Sequence, residues 1–262
     1  MMRRDAFFHS PDGLGASRSK SYIGAGLEFI KTEDRLDQKT VTGEMVFAGY
    51  EVYQEFTVFC AHTPLVLGYA PLQKWFYADC EVSHIGKTEI DRSSNRLLCP
   101  VDFIASGPWY ESLTYSQTQT EPNIGKRYPY KYPYKYARGV IGSVKPVNTG
   151  TLDSPVYMYI YGPCTNPTWT LIVNGGFRAN GRINTVVASG EVLRVFTAPS
   201  EMEAAIYDAA NMTFIRDVYG DSDWATARMI LVPPGECTIS FSQAGAGFVR
   251  AVVGVKQLAE TV

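Results

Sequence analysis

The sequence predicts a mainly β protein of two domains with a single helix. Three observations predict it. Aromatic residues are plentiful, with 17 Tyr and 13 Phe. Gly (23) and Pro (15) punctuate the chain throughout. Short apolar runs recur between those breaks, which is how strands cut by turns read. Hydrophobic residues make up 45% of the 262 and charged residues 19%. That balance supports a packed core rather than a disordered chain.

Residues 1–20 are basic and Gly/Ser-rich and read as a flexible arm that orders against a partner. Residues 21–150 form the expected first domain. Its strand-like runs are Met45-Val46-Phe47, Trp75-Phe76-Tyr77 and Leu97 to Ile104. Gly24-Ala25-Gly26 reads as a flexible entry. Tyr50, Tyr53, Phe56 and Phe59-Cys60 recur every three to four residues. That spacing predicts an amphipathic helix starting after Gly49 and stopping before Pro64, although Val52, Gln54 and Phe56 also fit a strand. The tract from Lys126 to Tyr136 alternates Tyr with Pro and Lys. It predicts a stiff, extended linker, because each Pro fixes its own φ and extends its predecessor.

Residues 151–262 form the expected second domain. Candidate strands are Val156–Tyr161, Thr168–Val173, Arg182–Val187, Val192–Phe196, Ala204–Tyr207, Thr213–Asp217, Thr226–Leu231, Thr238–Phe241 and Phe248–Val255. Turn signals separate them, among them Asn174-Gly175-Gly176, Ala179-Asn180-Gly181 and Pro233-Pro234-Gly235. Short strands at such regular spacing predict a β-sandwich.

The chemistry-bearing residues are sparse. Formal net charge is -2 and pI about 6.0, which does not favour non-specific nucleic-acid or membrane binding. No apolar run approaches the roughly 20 residues of a membrane span. The first residues lack the apolar stretch of a signal peptide, which predicts synthesis and folding in the cytoplasm. Five cysteines lie far apart and predict buried free thiols. His9, His62 and His84 are the only histidines. His84 near Glu81 and Glu89 could serve a proton relay, but an exposed histidine is the simpler reading. Cys60 with His62 would need a lowered thiol pKa, which the apolar Val58-Phe59 opposes. Asp221-Ser222-Asp223 lacks the further ligands of a calcium loop. No nucleophile elbow or phosphate-binding loop is present. The expectation is therefore no enzyme, no cofactor and no metal.

A sugar site needs an aromatic platform with polar side chains beside it. Trp169 and Trp224 are the candidates, with Asn174, Arg178, Arg182 and Arg194 as polar partners. Core packing is the simpler reading of Trp169, which leads into Leu171-Ile172-Val173.

Two stretches carry a family resemblance. The first runs Lys87-Thr88-Glu89-Ile90, Leu97-Leu98-Cys99-Pro100-Val101-Asp102-Phe103 and Pro108-Trp109-Tyr110. The second runs Tyr161-Gly162-Pro163-Cys164-Thr165-Asn166-Pro167, Gly190-Glu191-Val192-Leu193-Arg194-Val195 and Pro234-Gly235-Glu236-Cys237-Thr238-Ile239-Ser240-Phe241. In order and spacing they resemble the distal tail protein of long, non-contractile-tailed phages of Gram-positive bacteria, with its prophage and tailocin homologues. The resemblance implies a first domain shaped as a tail-tube-like β-sandwich or barrel and a second shaped as a galectin-like sandwich. It implies a homohexameric ring, the hub of the baseplate at the virion's tail tip, serving host attachment. The ring would join the tail tube protein to the tail-associated (tail fibre) protein and the receptor-binding protein, with DNA only as cargo through the channel.

Aromatic side chains suit such ring contacts, because they bury large areas at low entropic cost. The expected contacts lie in residues 21–115, with the arm and the Tyr/Pro tract reaching neighbours. The named interface candidates are Lys87, Glu89, Trp109, Tyr110, Tyr130, Tyr132 and Tyr134. The histidine-containing and Trp-x-x-Glu strands of galectins are missing, and no long loop interrupts the second domain. The alternatives are another tail-tube-like component and a carbohydrate-binding module.

Overall fold

The structure, a computed structural model, describes residues 8–70, 73–91, 93–94, 96–116, 142–225, 229–244 and 249–262. The chain divides into two compact units. Unit 1 comprises residues 1–111 and 258–262, and unit 2 comprises residues 112–257.

Unit 1 holds β1 (Phe8–Asp12), β2 (Arg18–Ala25), β3 (Glu28–Leu36), β4 (Thr40–Phe47), α1 (Tyr50–Cys60), β5 (Leu65–Tyr69), β6 (Phe76–Ile85), β7 (Leu97–Ala105) and the start of β8 (Trp109–Ser116). Its main sheet runs β1-β4-β7-β6-β8, and β5 also pairs with β6. All the registered pairs are antiparallel. Alternation sets the inward face, as the two-residue period of a strand requires. In β7, Leu97, Cys99, Val101, Phe103 and Ala105 are buried, while the residues between them face outward.

The helix forms where its period predicted. Tyr50, Tyr53, Phe56, Phe59 and Cys60 line its half-buried side, and the rest is exposed. Phe47 of β4 anchors it, with ring centroids 5.5 Å from Tyr53 and 5.3 Å from Phe56. Trp109, 1% exposed, completes the same core, 6.3 Å from the ring of Tyr69.

Unit 2 holds β9 (Gly142–Val144), β10 (Val147–Asn148), β11 (Ser154–Tyr161), β12 (Cys164–Thr165), β13 (Thr168–Val173), β14 (Gly176–Arg182), β15 (Val186–Val187), β16 (Glu191–Phe196), β17 (Glu203–Asp208), β18 (Phe214–Asp217), β19 (Leu231–Val232), β20 (Gly235–Ser242) and most of β21 (Arg250–Ala259). One sheet runs β21-β11-β16-β17-β18, and the other runs β10-β20-β13-β14 with β9 also on β20. The two sheets share one core. Met158, Ile160, Leu193 and Val253 of the first meet Trp169, Leu171, Ile239 and Phe241 of the second. This is the expected sandwich.

One buried amide at its edge is fully paired. Asn148, 2% exposed, donates to the carbonyls of Leu152 and Val232 and to Ser154 Oγ, and accepts from the amide of Gly150.

Four features differ from the sequence reading. Residues 8–12 of the expected arm are strand β1, with Phe8 packed over Gly43 of β4. The division between units falls at Glu111/Ser112, not near residue 150. Gly24-Ala25-Gly26 is not a flexible entry but the end of a long hairpin, β2–β3. The segment 176–182, read as turns, is strand β14, and the strand expected over 182–187 is reduced to the short β15. The reason for β14 is space. A Cβ on Gly181 would lie 2.3 Å from the indole of Trp169, so the ring occupies the place of a side chain. The backbone there is not in the left-handed region, so glycine is required by packing and not by conformation. The Tyr/Pro tract lies outside the described residues, as do residues 226–228 and 248 of the candidate strands.

Two predictions test these cores. Trp109→Ala empties a fully enclosed site and should cost about 3–5 kcal/mol, giving insoluble protein; soluble, assembly-competent mutant would place the residue at the periphery. Gly181→Val overpacks the Trp169 face and should cost about 1–3 kcal/mol. Urea unfolding should show a lower midpoint at unchanged slope, and an unaltered midpoint would mean that the indole yields freely.

Candidate assembly interface

The β2–β3 hairpin is a two-stranded sheet of its own, and neither strand pairs with any other among the described residues. Gly26, at φ +68°, supplies the positive φ that a tight hairpin turn favours. Register places Ile23 opposite Ile30 on one face. Tyr22 (opposite Lys31) and Phe29 (opposite Gly24) stand on the other. All four apolar side chains are exposed, and at the turn Leu27 is fully so, at 103%. A ribbon that is apolar on both faces cannot cover itself.

Its base, by contrast, is tied down. Ser17 and Ser19 donate to the two oxygens of Asp37 at 2.9 and 2.7 Å. Arg18 bridges Asp34 at 2.6 Å and the carboxylate of Glu260. Lys31 donates to the other oxygen of Asp34 at 2.6 Å. Lys39, buried, donates its ammonium to the backbone carbonyl of Glu260. Lys31 and then Arg18 hold the Asp34 carboxyl down at about 2, and Arg18 lowers that of Glu260. Ser19 and Ser17 lower Asp37, and burial lowers Lys39. The C-terminal segment thus returns to unit 1 and clamps the root of the hairpin.

The sequence-chosen candidates fall into separate groups. Lys87 and Glu89 do not pair with each other but meet on Tyr50: the phenol donates to Glu89 at 2.7 Å, and the Lys87 ammonium lies 5.3 Å from the ring. Tyr110 donates to Asp79 at 3.0 Å and sits 5.9 Å from the ring of Tyr77, which stacks on exposed Trp75. Trp109 is core, so its contribution to an interface is indirect. Tyr130, Tyr132 and Tyr134 lie outside the described residues.

The sugar platform does not assemble. Trp169 is 2% exposed and packed on Gly181, so no ligand can stack on it. Arg194 stands on the opposite sheet, tied to Glu203 and lying 4.7 Å from the ring of Tyr207. Trp224 is exposed, against Tyr219 at 5.0 Å.

The catalytic alternatives do not assemble either. His84 is exposed on β6, across from Asp102, and Glu89 is engaged by Tyr50. His62 contacts the carbonyl of Val58 through Nδ1 at 2.8 Å. Burial pushes the Cys60 thiol up to about 11, away from nucleophile chemistry. All five cysteines are free, and the described residues contain no cluster of metal-ligating side chains. No described helix is long and apolar enough to cross a membrane.

Among the described residues, the chain is a two-unit antiparallel β protein with a hairpin anchored at its root and exposed at its tip. Residues 1–106 match the family described as distal tail protein, N-terminal domain. The match covers the first 106 of 262 residues, so the likeness to that family is carried by the N-terminal part of the chain. No curated protein sequence matches it.

Solved structures share the fold. A chain of the phage P2 baseplate in its activated conformation with Ca matches at TM-score 0.63 and 12% identity, covering 98% of this chain and 92% of that one. The same baseplate with Sr gives the same values. The SPP1 Dit protein, described as a paradigm of the hub adsorption apparatus in phages infecting Gram-positive bacteria, matches at TM-score 0.60 and 10% identity, covering 96% and 93%.

The hairpin is the feature that sequence reasoning missed. The doublets Tyr22-Ile23 and Phe29-Ile30, placed either side of Gly24-Ala25-Gly26, were its signal. A prediction follows for its root. Asp34 and Glu260 have depressed folded pKa values, so the clamp is complete above the ordinary carboxylate range of about 4 and is lost as pH falls towards 2. The Arg18 Nε–H resonance should hold steady from neutral pH to about 4 and move to its free position as pH falls towards 2. A resonance already at the free position at neutral pH would show that the clamp does not form.

Proposed function

We propose that this chain is the hub of a phage tail tip, closing a homohexameric ring through unit 1. The hairpin carries the reading. Its exposed apolar tip on a fixed root is a surface made for another subunit, and a closed ring repeats one such contact until the rotation closes. The family match over residues 1–106 and the shared fold with a baseplate chain and with SPP1 Dit support it.

In this reading the ring sits at the virion's tail tip after assembly in the host cytoplasm. It joins the tail tube protein to the tail-associated and receptor-binding proteins, and DNA passes through its channel. Unit 2, a galectin-like sandwich, carries receptor-binding proteins. With a net charge of -2, the chain has no excess of cationic side chains to hold passing DNA. The function asks for no catalysis and no cofactor.

The test is size. Light scattering of the purified protein, alone and co-expressed with the neighbouring tail protein, should give six times the mass of one chain, with rings in micrographs. A monomer in both preparations at high concentration would overturn the reading.

A further inference from the structure

Unit 1 carries a knob and a socket. The knob is the hairpin turn, Leu27 with Phe29 (78% exposed) beside it. The socket is a groove of about 380 Å³ between α1 and β5, bordered by Phe56, Phe59, Cys60, Leu67 and Trp109. A cavity of that size lies at the lower end of those that enclose small ligands, roughly 300–1,000 Å³, so one or two apolar side chains suit it. We propose that the hairpin turn of one copy seats in the α1–β5 groove of the next. This rests on the ring reading and names its contact.

Two observations favour a second copy as the occupant. Among the described residues no charged side chain lines the groove, and the tip offers it Leu27 and Phe29, with Glu28 between them left to lie at the groove's rim in water. Knob and socket are different surfaces of one chain, so the contact is head-to-tail, the kind that builds rings. The ribbon's two apolar faces fit the same geometry, since a segment inserted into a groove is covered from both sides, whereas one laid on a flat surface is not.

The experiment uses the full chain. Leu27→Cys puts an exposed thiol on the knob, which can carry a benzophenone maleimide, whereas burial pushes the native Cys60, Cys80, Cys164 and Cys237 thiols up in pKa and slows their labelling. Irradiation should then join copies into a ladder extending past the dimer. Mass spectrometry should find residue 27 linked to residues of α1 or β5 that border the groove. As a second variant, Leu27→Asp alters a fully exposed position and should leave thermal unfolding unchanged while shifting the assembly to monomer. A hexamer by light scattering with no such link, or with 27–27 dimers only, overturns the docking and leaves the ring. A monomer without cross-links overturns both.

Discussion

A two-stranded ribbon has two faces and two edges, and a single chain rarely covers all four. In most small proteins that difficulty is avoided by burying one face on a core. Among the described residues β2 and β3 pair only with each other, and exposed apolar side chains stand on both faces. The described residues do not supply the desolvation that would stabilise them. The root shows that the ribbon is nonetheless held. Asp34 and Glu260 gather Arg18, Lys31 and Lys39 into one group, and Asp37 holds two serines beside it. Each exposed pair contributes little alone. Their joint effect is directional: a ribbon fixed at its base loses less orientational freedom when its tip docks.

The second constraint is the fit of aromatic rings against backbone. Phe8 lies over Gly43, and Trp169 lies over Gly181. In both places the glycine removes a side chain so that a large ring can close-pack on the strand opposite or beside it. A tryptophan used this way is unavailable to a ligand. The same residue type therefore serves opposite ends in unit 2, where Trp169 is sealed in the core and Trp224 stands exposed.

Much of this was legible before any coordinates. The three-to-four-residue spacing of Tyr50, Tyr53, Phe56 and Phe59 marked α1, and the run Thr168–Val173 marked β13 residue for residue. These elements obey a simple in-and-out pattern because one side is buried. β14 was hidden because Gly181 is there for the ring of Trp169 and imitates a turn. The hairpin was hidden because no described part of the chain buries it, so Tyr22-Ile23 and Phe29-Ile30 break the alternation expected of a half-buried strand. Of the residues chosen as interface candidates, Lys87 and Glu89 both reach one aromatic ring. Their meeting point, Tyr50, could not be read from spacing, because the fold brings it from another element.

A head-to-tail contact leads either to a closed ring or to an open fibre, and only the angle between copies separates the outcomes. A knob on a loose tether would fix no angle, since it could enter the same socket from many directions. The clamp made by Arg18 and Lys39 on the C-terminal segment answers that difficulty, because it sets the hairpin's direction relative to the sheet that floors the socket. Segments far apart in sequence, residues 18–39 and 260, thereby control one geometric quantity. On this argument the C-terminal segment belongs to the first unit for a reason beyond stability: it converts a sticky tip into a contact of defined angle, and a defined angle is what ring closure demands.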